Sequence, residues 1–206
     1  MSSKVDVHIL TLPDQNQTWY KQCLQSLENQ PINLYVVDGI VGKMGEARRN
    51  GFSRGSAEFV AFVDPDDIVQ PGAFEACVSA LQANTDASMS YTREVQISKD
   101  GFLLVNRERD WYEPHFGKST EPFHAHHLSV FRRSMLPDLT FLDNHWHMAD
   151  VALRKEMYKS GPFVFVDMIG YQWRRYQGQS SRTPLLQNAE TQQIAKEWME
   201  ARCKLI

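Results

Sequence analysis

The chain has 206 residues with 42% hydrophobic, 11% aromatic and 23% charged side chains, which fits one domain with a real core and excludes a disordered or collagenous protein. Its 22 Lys and Arg stand against 25 Asp and Glu, a net charge of −3, so nothing global favours nucleic acid or an anionic membrane as partner. The basic surplus lies in the second half.

Val5, Val7 and Ile9 alternate with Asp6 and His8, and Leu10-Thr11-Leu12-Pro13-Asp14 breaks the pattern, predicting a strand that ends in a loop. Tyr20, Cys23, Leu24 and Leu27 fall at i, i+3, i+4 and i+7, the stripe of an amphipathic helix, with Thr18 available as its cap. Leu34 to Val37 is a second strand stopping at Asp38-Gly39, and Gly45 to Gly51 a second helix. The continuous apolar run Phe59 to Val63 suits a parallel strand buried on both faces. It ends at Asp64-Pro65-Asp66-Asp67, and Phe74, Cys77, Val78 and Leu81 repeat the helical stripe behind Pro71. Strands and helices in alternation imply right-handed crossovers and a mostly parallel, Rossmann-like α/β sheet flanked by helices.

The second half changes character. Residues 95–105 enclose Asp100-Gly101, the signal of a two-residue hairpin, so mixed and antiparallel pairing is expected there. His127 to Phe131 reads as a strand, Asp150 to Lys159 as a helix capped by Gly161, and Phe163 to Val166 as a strand. Ile194, Trp198, Ala201 and Leu205 mark a terminal helix. No repeat or linker divides the chain, so 1–206 is expected to be a single domain. Cys23, Cys77 and Cys203 have neither zinc spacing nor a disulfide framework, and no apolar run approaches the roughly 20 residues that span a bilayer. A cytoplasmic location is the expectation, with no transmembrane segment.

Ligands of open α/β sheets sit beyond the carboxyl ends of the parallel strands. Asp14, Asp38 and the group Asp64, Asp66 and Asp67 follow the first three strands. Carboxylates crowded in this way repel one another unless a cation or hydrogen-bond donors compensate, and a magnesium-type ion bridging to a diphosphate would do so. Asp-Pro-Asp-Asp is equally good turn chemistry.

The segments Val5 to Thr11, Trp19 to Gln30, Leu34 to Gly39, Gly45 to Gly51 and Phe59 to Asp67 with Pro71 resemble, in order and spacing, the nucleotide-binding half of family 2 glycosyltransferases. Weaker matches continue through Leu128 to Ser134, Asp150 to Arg154, Gly161 and Tyr171 to Arg182. The resemblance implies a GT-A fold, with residues 1–100 binding a nucleotide-sugar and 101–206 an acceptor. It implies that Thr11, Leu12, Pro13 and Asp14 lie along the base and ribose, that Asp38 faces the base and that Asp64 holds the ribose. Asp66 matches the metal-binding member of the DxD motif, for Mn2+ or Mg2+, while Asp67 caps the following segment or supports the residues around the site, stabilising geometry rather than performing chemistry. Arg48 either reaches the nucleotide or is a solvated helix residue. Asp150 matches the carboxylate that deprotonates the acceptor in an inverting transfer, or else caps its helix; the family's preceding Glu is Ala149 here.

Where many relatives carry a metal-binding His, this chain has Tyr176. Arg174 and Arg175 match residues that neutralise the departing diphosphate, with exposed solubilising charge as the other reading. The clusters His124, His126, His127 and His145, His147 read as acceptor contacts or surface rather than zinc ligands, because no thiol lies nearby. His126, His147, Trp173 and Tyr176 are the acceptor candidates. UDP is the expected carrier, as the family's commonest. The basic, aromatic stretch from Asp150 to Arg182 suits a glycan or a hydroxymethylated base in DNA, the latter as in small virus-encoded members acting in host cytoplasm. A catalytically inactive nucleotide- or sugar-binding module is the alternative to an enzyme.

Overall fold

The computed structural model describes residues 5–104, 125–145 and 148–177. The expected terminal helix, Cys203, Arg182, His124 and His147 lie outside the described residues. Alternation at the amino end forms strand β1 (Val5–Thr11), followed by helix α1 (Gln17–Leu27). The α1 cap is Asn16 rather than Thr18: the Asn16 side chain accepts from the backbone nitrogens of Thr18 and Trp19, because its oxygen sits where two orphan donors converge. Strand β2 (Ile32–Asp38), helix α2 (Met44–Phe52), strand β3 (Phe59–Val63), a two-residue strand β4 (Ile68–Val69) and helix α3 (Ala73–Ala83) follow. After them come β5 (Met89–Ser98), β6 (Ser129–Arg132), α4 (Ala149–Ser160) and β7 (Phe163–Arg175).

These strands form one seven-stranded sheet in the order β2-β1-β3-β6-β5-β7-β4. β1 pairs parallel with β2 and β3, as the alternating elements imply, and their carboxyl ends share one edge: Thr11 lies opposite Asp38 and Ile9 opposite Val63. β6 inserts antiparallel between β3 and β5, whereas β7 runs parallel to β5 and antiparallel to β4. The second half is therefore mixed, with an antiparallel bridge from Ile97 to Leu103. Its turn holds three residues rather than two, since Ser98 N donates to Phe102 O at 2.8 Å and Gly101 takes φ 88. Gly161 follows α4 with extended backbone at φ 170, not in a left-handed cap; what it supplies is space, since a Cβ there would lie 2.4 Å from Asp86 O.

Helices cover both sheet faces. Phe59, Ala61 and Val63 of β3 pack with Cys23 and Leu27 of α1 and Phe74, Cys77 and Leu81 of α3. Val60 and Phe62 point the other way, into Phe52 of α2, Phe131 of β6 and Leu153 and Met157 of α4. Covering both faces also buries the polar residues of β1. Asp6 accepts from Asn33, the Ala57 nitrogen and Arg133, at 2.7–2.8 Å, while His8 lies against Phe52. No described helix is long and apolar enough to cross a membrane.

Candidate functional site

Beyond the carboxyl ends of β1 and β3 the protein opens a cleft of about 850 Å³, lined among others by Leu12, Asp14, Arg48, Asp64, Asp66 and Asp150. It forms there because parallel strands end with no partner for the next turn of chain, and the loops splay. Thr11, Pro13 and Asp38 are not part of the cleft wall; Thr11 O accepts from Gly39 N at 2.8 Å and so ties the ends of β1 and β2 together behind it.

The loop after β3 is fastened from β7. Tyr171 donates its hydroxyl hydrogen to Asp67 Oδ2 at 2.8 Å, and the Arg174 backbone nitrogen donates to Asp67 Oδ1 at 2.8 Å. Both Asp67 oxygens accept from β7, so this side chain anchors the loop rather than lining the cleft. Burial, then the neighbouring Asp66 and Asp64, raise its carboxyl well above the usual range. Burial and Asp64 likewise push Asp66 up to about 6, opposed by the Tyr176 hydroxyl, which donates to Asp66 Oδ2 at 2.9 Å. Tyr176 also packs its ring 4.6 Å from that of Trp19, whose indole donates to Lys99 O at 3.1 Å.

The cation in the wall is Arg48. It is 3% exposed, lies 4.0 Å over the Phe62 ring, and donates through Nη2 to Asp64 Oδ1 at 2.8 Å, while Nε and Nη1 have no partner among the described residues. It is not a solvated helix residue. Arg174 corrects the sequence reading in the other direction. It is 1% exposed and does not line the cleft; its guanidinium donates to Asp66 O and Gln22 Oε1, both at 2.8 Å, and to Lys99 O at 3.2 Å. A five-donor fork suits a cluster of loop carbonyls as well as a phosphate, and here it clamps the loop. Arg175 stacks 3.9 Å over the Trp173 ring and is likewise absent from the wall.

Met148, in a left-handed conformation at φ 51, turns the chain into α4 so that Asp150 occupies its first turn. There the carboxylate pairs with Arg154 through Oδ2 at 2.7 Å, one turn further on. Burial works to raise the Asp150 pKa, but Arg154, then His127 and His126, outweigh it and hold the group below the usual range. His126 and His127 both face the same cleft. Glu94 of β5 bonds His126 Nδ1, and His127 stacks on Tyr171 at 4.7 Å with Nε2 3.9 Å from Asp64 Oδ2. Burial, then His126, lowers the His127 pKa to about 4. Trp173 closes the group with its ring 5.2 Å from His126.

Trp19, Glu94 and Arg154 are members of this site that the sequence reading did not select. Trp19 gave no signal beyond helical spacing, and Glu94 none beyond strand alternation. Arg154, four residues after Asp150, carried the i, i+4 ion-pair signal.

The chain belongs to glycosyl transferase family 2, whose model matches residues 20–140. No curated protein matches the sequence. Among solved structures it is similar to S. aureus TarS 1–349 in complex with UDP-GlcNAc, at a TM-score of 0.65 and 15% identity over 87% of this chain and 61% of that one. TarS 1–349 by itself gives 0.62 at 13% identity, covering 83% and 60%, and its complex with UDP 0.63 at 14%, covering 84% and 60%. The chain thus spans about 60% of the length of TarS 1–349. A likeness at this identity establishes the architecture, the GT-A fold.

Proposed function

We propose that the protein transfers a sugar from a UDP-sugar to a glycan hydroxyl with inversion at the anomeric carbon. The observation that carries this is one cleft lined both by Asp64 and Asp66, at the end of β3, and by Asp150, at the start of α4, in a chain of this family. The TarS complexes with UDP-GlcNAc and UDP support a uridine diphosphate carrier. Residues 1–100 supply the donor side, with Leu12, Asp14 and Asp64 along the nucleoside and Arg48 toward the diphosphate. Residues 101–206 supply the acceptor side, where Trp173 and His126 offer an aromatic platform for a sugar ring.

Asp66 fits a hard divalent ion, Mn2+ or Mg2+, because burial beside Asp64 leaves a carboxylate that a cation relieves. Such an ion, when bound, neutralises charge on the departing diphosphate. The acceptor oxygen attacks the anomeric carbon as the bond to the diphosphate breaks, and Asp150 accepts the acceptor's proton. The depressed Asp150 pKa keeps that group ionised, and its Arg154 partner fixes its orientation.

A glycan is favoured over a DNA base by the fate of the basic stretch. Arg154 and Arg174 are buried and bonded inside the protein, which withdraws two of the stretch's cations from any phosphate backbone. The test is labelled UDP-sugar offered with and without Mn2+ to a glycan mixture, hydroxymethylated DNA and unmodified DNA. Manganese-dependent label in the glycan, lost in Asp66→Ala, supports the reading. Label in hydroxymethylated DNA alone reassigns the acceptor, and UDP binding with no donor consumed makes the chain a binding module.

A further inference from the structure

The cleft holds a second group with ligand chemistry, apart from Asp66. One ligand atom each from His126, His127 and Asp150 lie within 4.8 Å of one another, and all three residues line the cleft. His127 is 5% exposed, and its Nδ1 is buried without a partner among the described residues. His126 has its Nδ1 bonded by Glu94, a residue itself 6% exposed. That pairing leaves Nε2 as the free nitrogen, and a carboxylate on the far ring nitrogen is the usual support of a metal-bound imidazole. Arg154 engages only Oδ2 of Asp150, so Oδ1 remains for a cation.

We propose that His126, His127 and Asp150 form a site for a borderline divalent ion of the Zn2+ class, distinct from the place of the donor's hard ion at Asp66. Two imidazoles and one carboxylate are a zinc-type donor set, poorly matched to Mg2+. Zinc bonds of about 2.0–2.1 Å put tetrahedral ligand atoms roughly 3.3 Å apart, so side-chain rotations of about 1 Å complete the set. Because the ion takes the carboxylate assigned above as base, occupancy and sugar transfer exclude each other, and Zn2+ is an inhibitor. Metal binding itself does not depend on the transfer reaction.

The experiment titrates the 206-residue chain with Co2+ and Zn2+, reading the Co2+ visible absorption and the bound metal per chain after dialysis. One Co2+ per chain with a visible band, retained in Asp66→Ala, displaced by Zn2+ and weakened at least about 100-fold in His127→Gln, is the expected result. His126→Gln is the second variant, its ring being partly exposed, and circular dichroism confirms that each variant folds. Absence of a visible band in the wild type overturns the proposal, as does binding that is lost in Asp66→Ala and kept in the histidine variants. UDP-sugar turnover is then compared with and without Zn2+. Inhibition by Zn2+ in the wild type is expected, and full activity with the site loaded overturns the inhibitory role while leaving the transfer reading intact.

Discussion

Tyr176 donates its phenolic hydrogen to Asp66 Oδ2 across 2.9 Å. The bond restrains a carboxyl that burial and Asp64 push up to about 6, so its removal raises Asp66 further. A metal-binding role needs Asp66 ionised, and activity therefore rises with pH through its pKa. In Tyr176→Phe the acidic limb of the kcat/KM profile is expected to move to higher pH, with turnover depressed several-fold near pH 6.5 and recovered near pH 8.5. An unmoved limb would detach Asp66 from the reaction.

Exchanging that phenol for imidazole tests the same position from the other side. Tyr176→His places a better nitrogen ligand beside Asp66. We expect the Mn2+ concentration for half-maximal activity to fall about tenfold, an increment of about 1.4 kcal/mol. The sign is what matters: weaker activation by Mn2+ would mean that no ion is held between these two residues.

The donor half was legible because its signals are local. The stripe at Tyr20 to Leu27 and the run Phe59 to Val63 each satisfy their own periodicity, and both formed as expected. β4 was invisible because two residues carry no period; Ile68 and Val69 are strand only through β7. β7 runs nine residues past its apolar start, where polar residues and register shifts against β5 hide the alternation. The site divides in the same way. Asp64, Asp66 and Asp150 sit at element ends that sequence can locate, whereas a loop-clamping Arg174 and a phosphate-facing one are identical in sequence. The approach of His126 and His127 to Asp150 joins a loop to a helix over more than twenty positions, and no local pattern reports it.

Arg174 supplies a stability test. Its guanidinium holds the carbonyls of Asp66 and Lys99 and the Gln22 amide from a position 1% exposed. Arg174→Met leaves those acceptors unsatisfied and should lower unfolding free energy by about 2–4 kcal/mol in a urea titration. A residue gripping phosphate would behave oppositely, with stability unchanged and UDP affinity lost.

His127 gives a pH signature. Its folded pKa is lowered to about 4, below the unfolded 6.5, by burial and then by His126. Between those values the unfolded chain binds more protons, so this contribution to stability is present above pH 6.5 and is lost as pH falls toward 4. The slope is at most about 1.4 kcal/mol per pH unit. Asp66 and Asp67 act with the opposite sign because their carboxyls are raised, and the comparison must therefore be between variant and wild type. His127→Gln is expected to lose less stability than the wild type between pH 7 and pH 4, and parallel curves in urea would contradict it.

Asp150 carries the proton in the proposed reaction, and Asp150→Asn tests that role; Asp150 does not cap α4, whose cap position is Met148. Asparagine keeps the shape of the side chain, but it cannot accept a proton. It also leaves Arg154 without its anionic partner at 2.7 Å, a stability loss that a thermal melt will register. The expected outcome is a kcat lower by about 10²–10⁴-fold with the Kd for UDP unchanged. Since Arg154 helps to hold the Asp150 pKa down, Arg154→Met provides the complementary arm: the carboxyl rises, and the acidic limb of the kcat profile shifts upward with it. A kcat preserved in Asp150→Asn would move the base elsewhere in the cleft, and a kcat lost together with UDP affinity would make Asp150 a structural group.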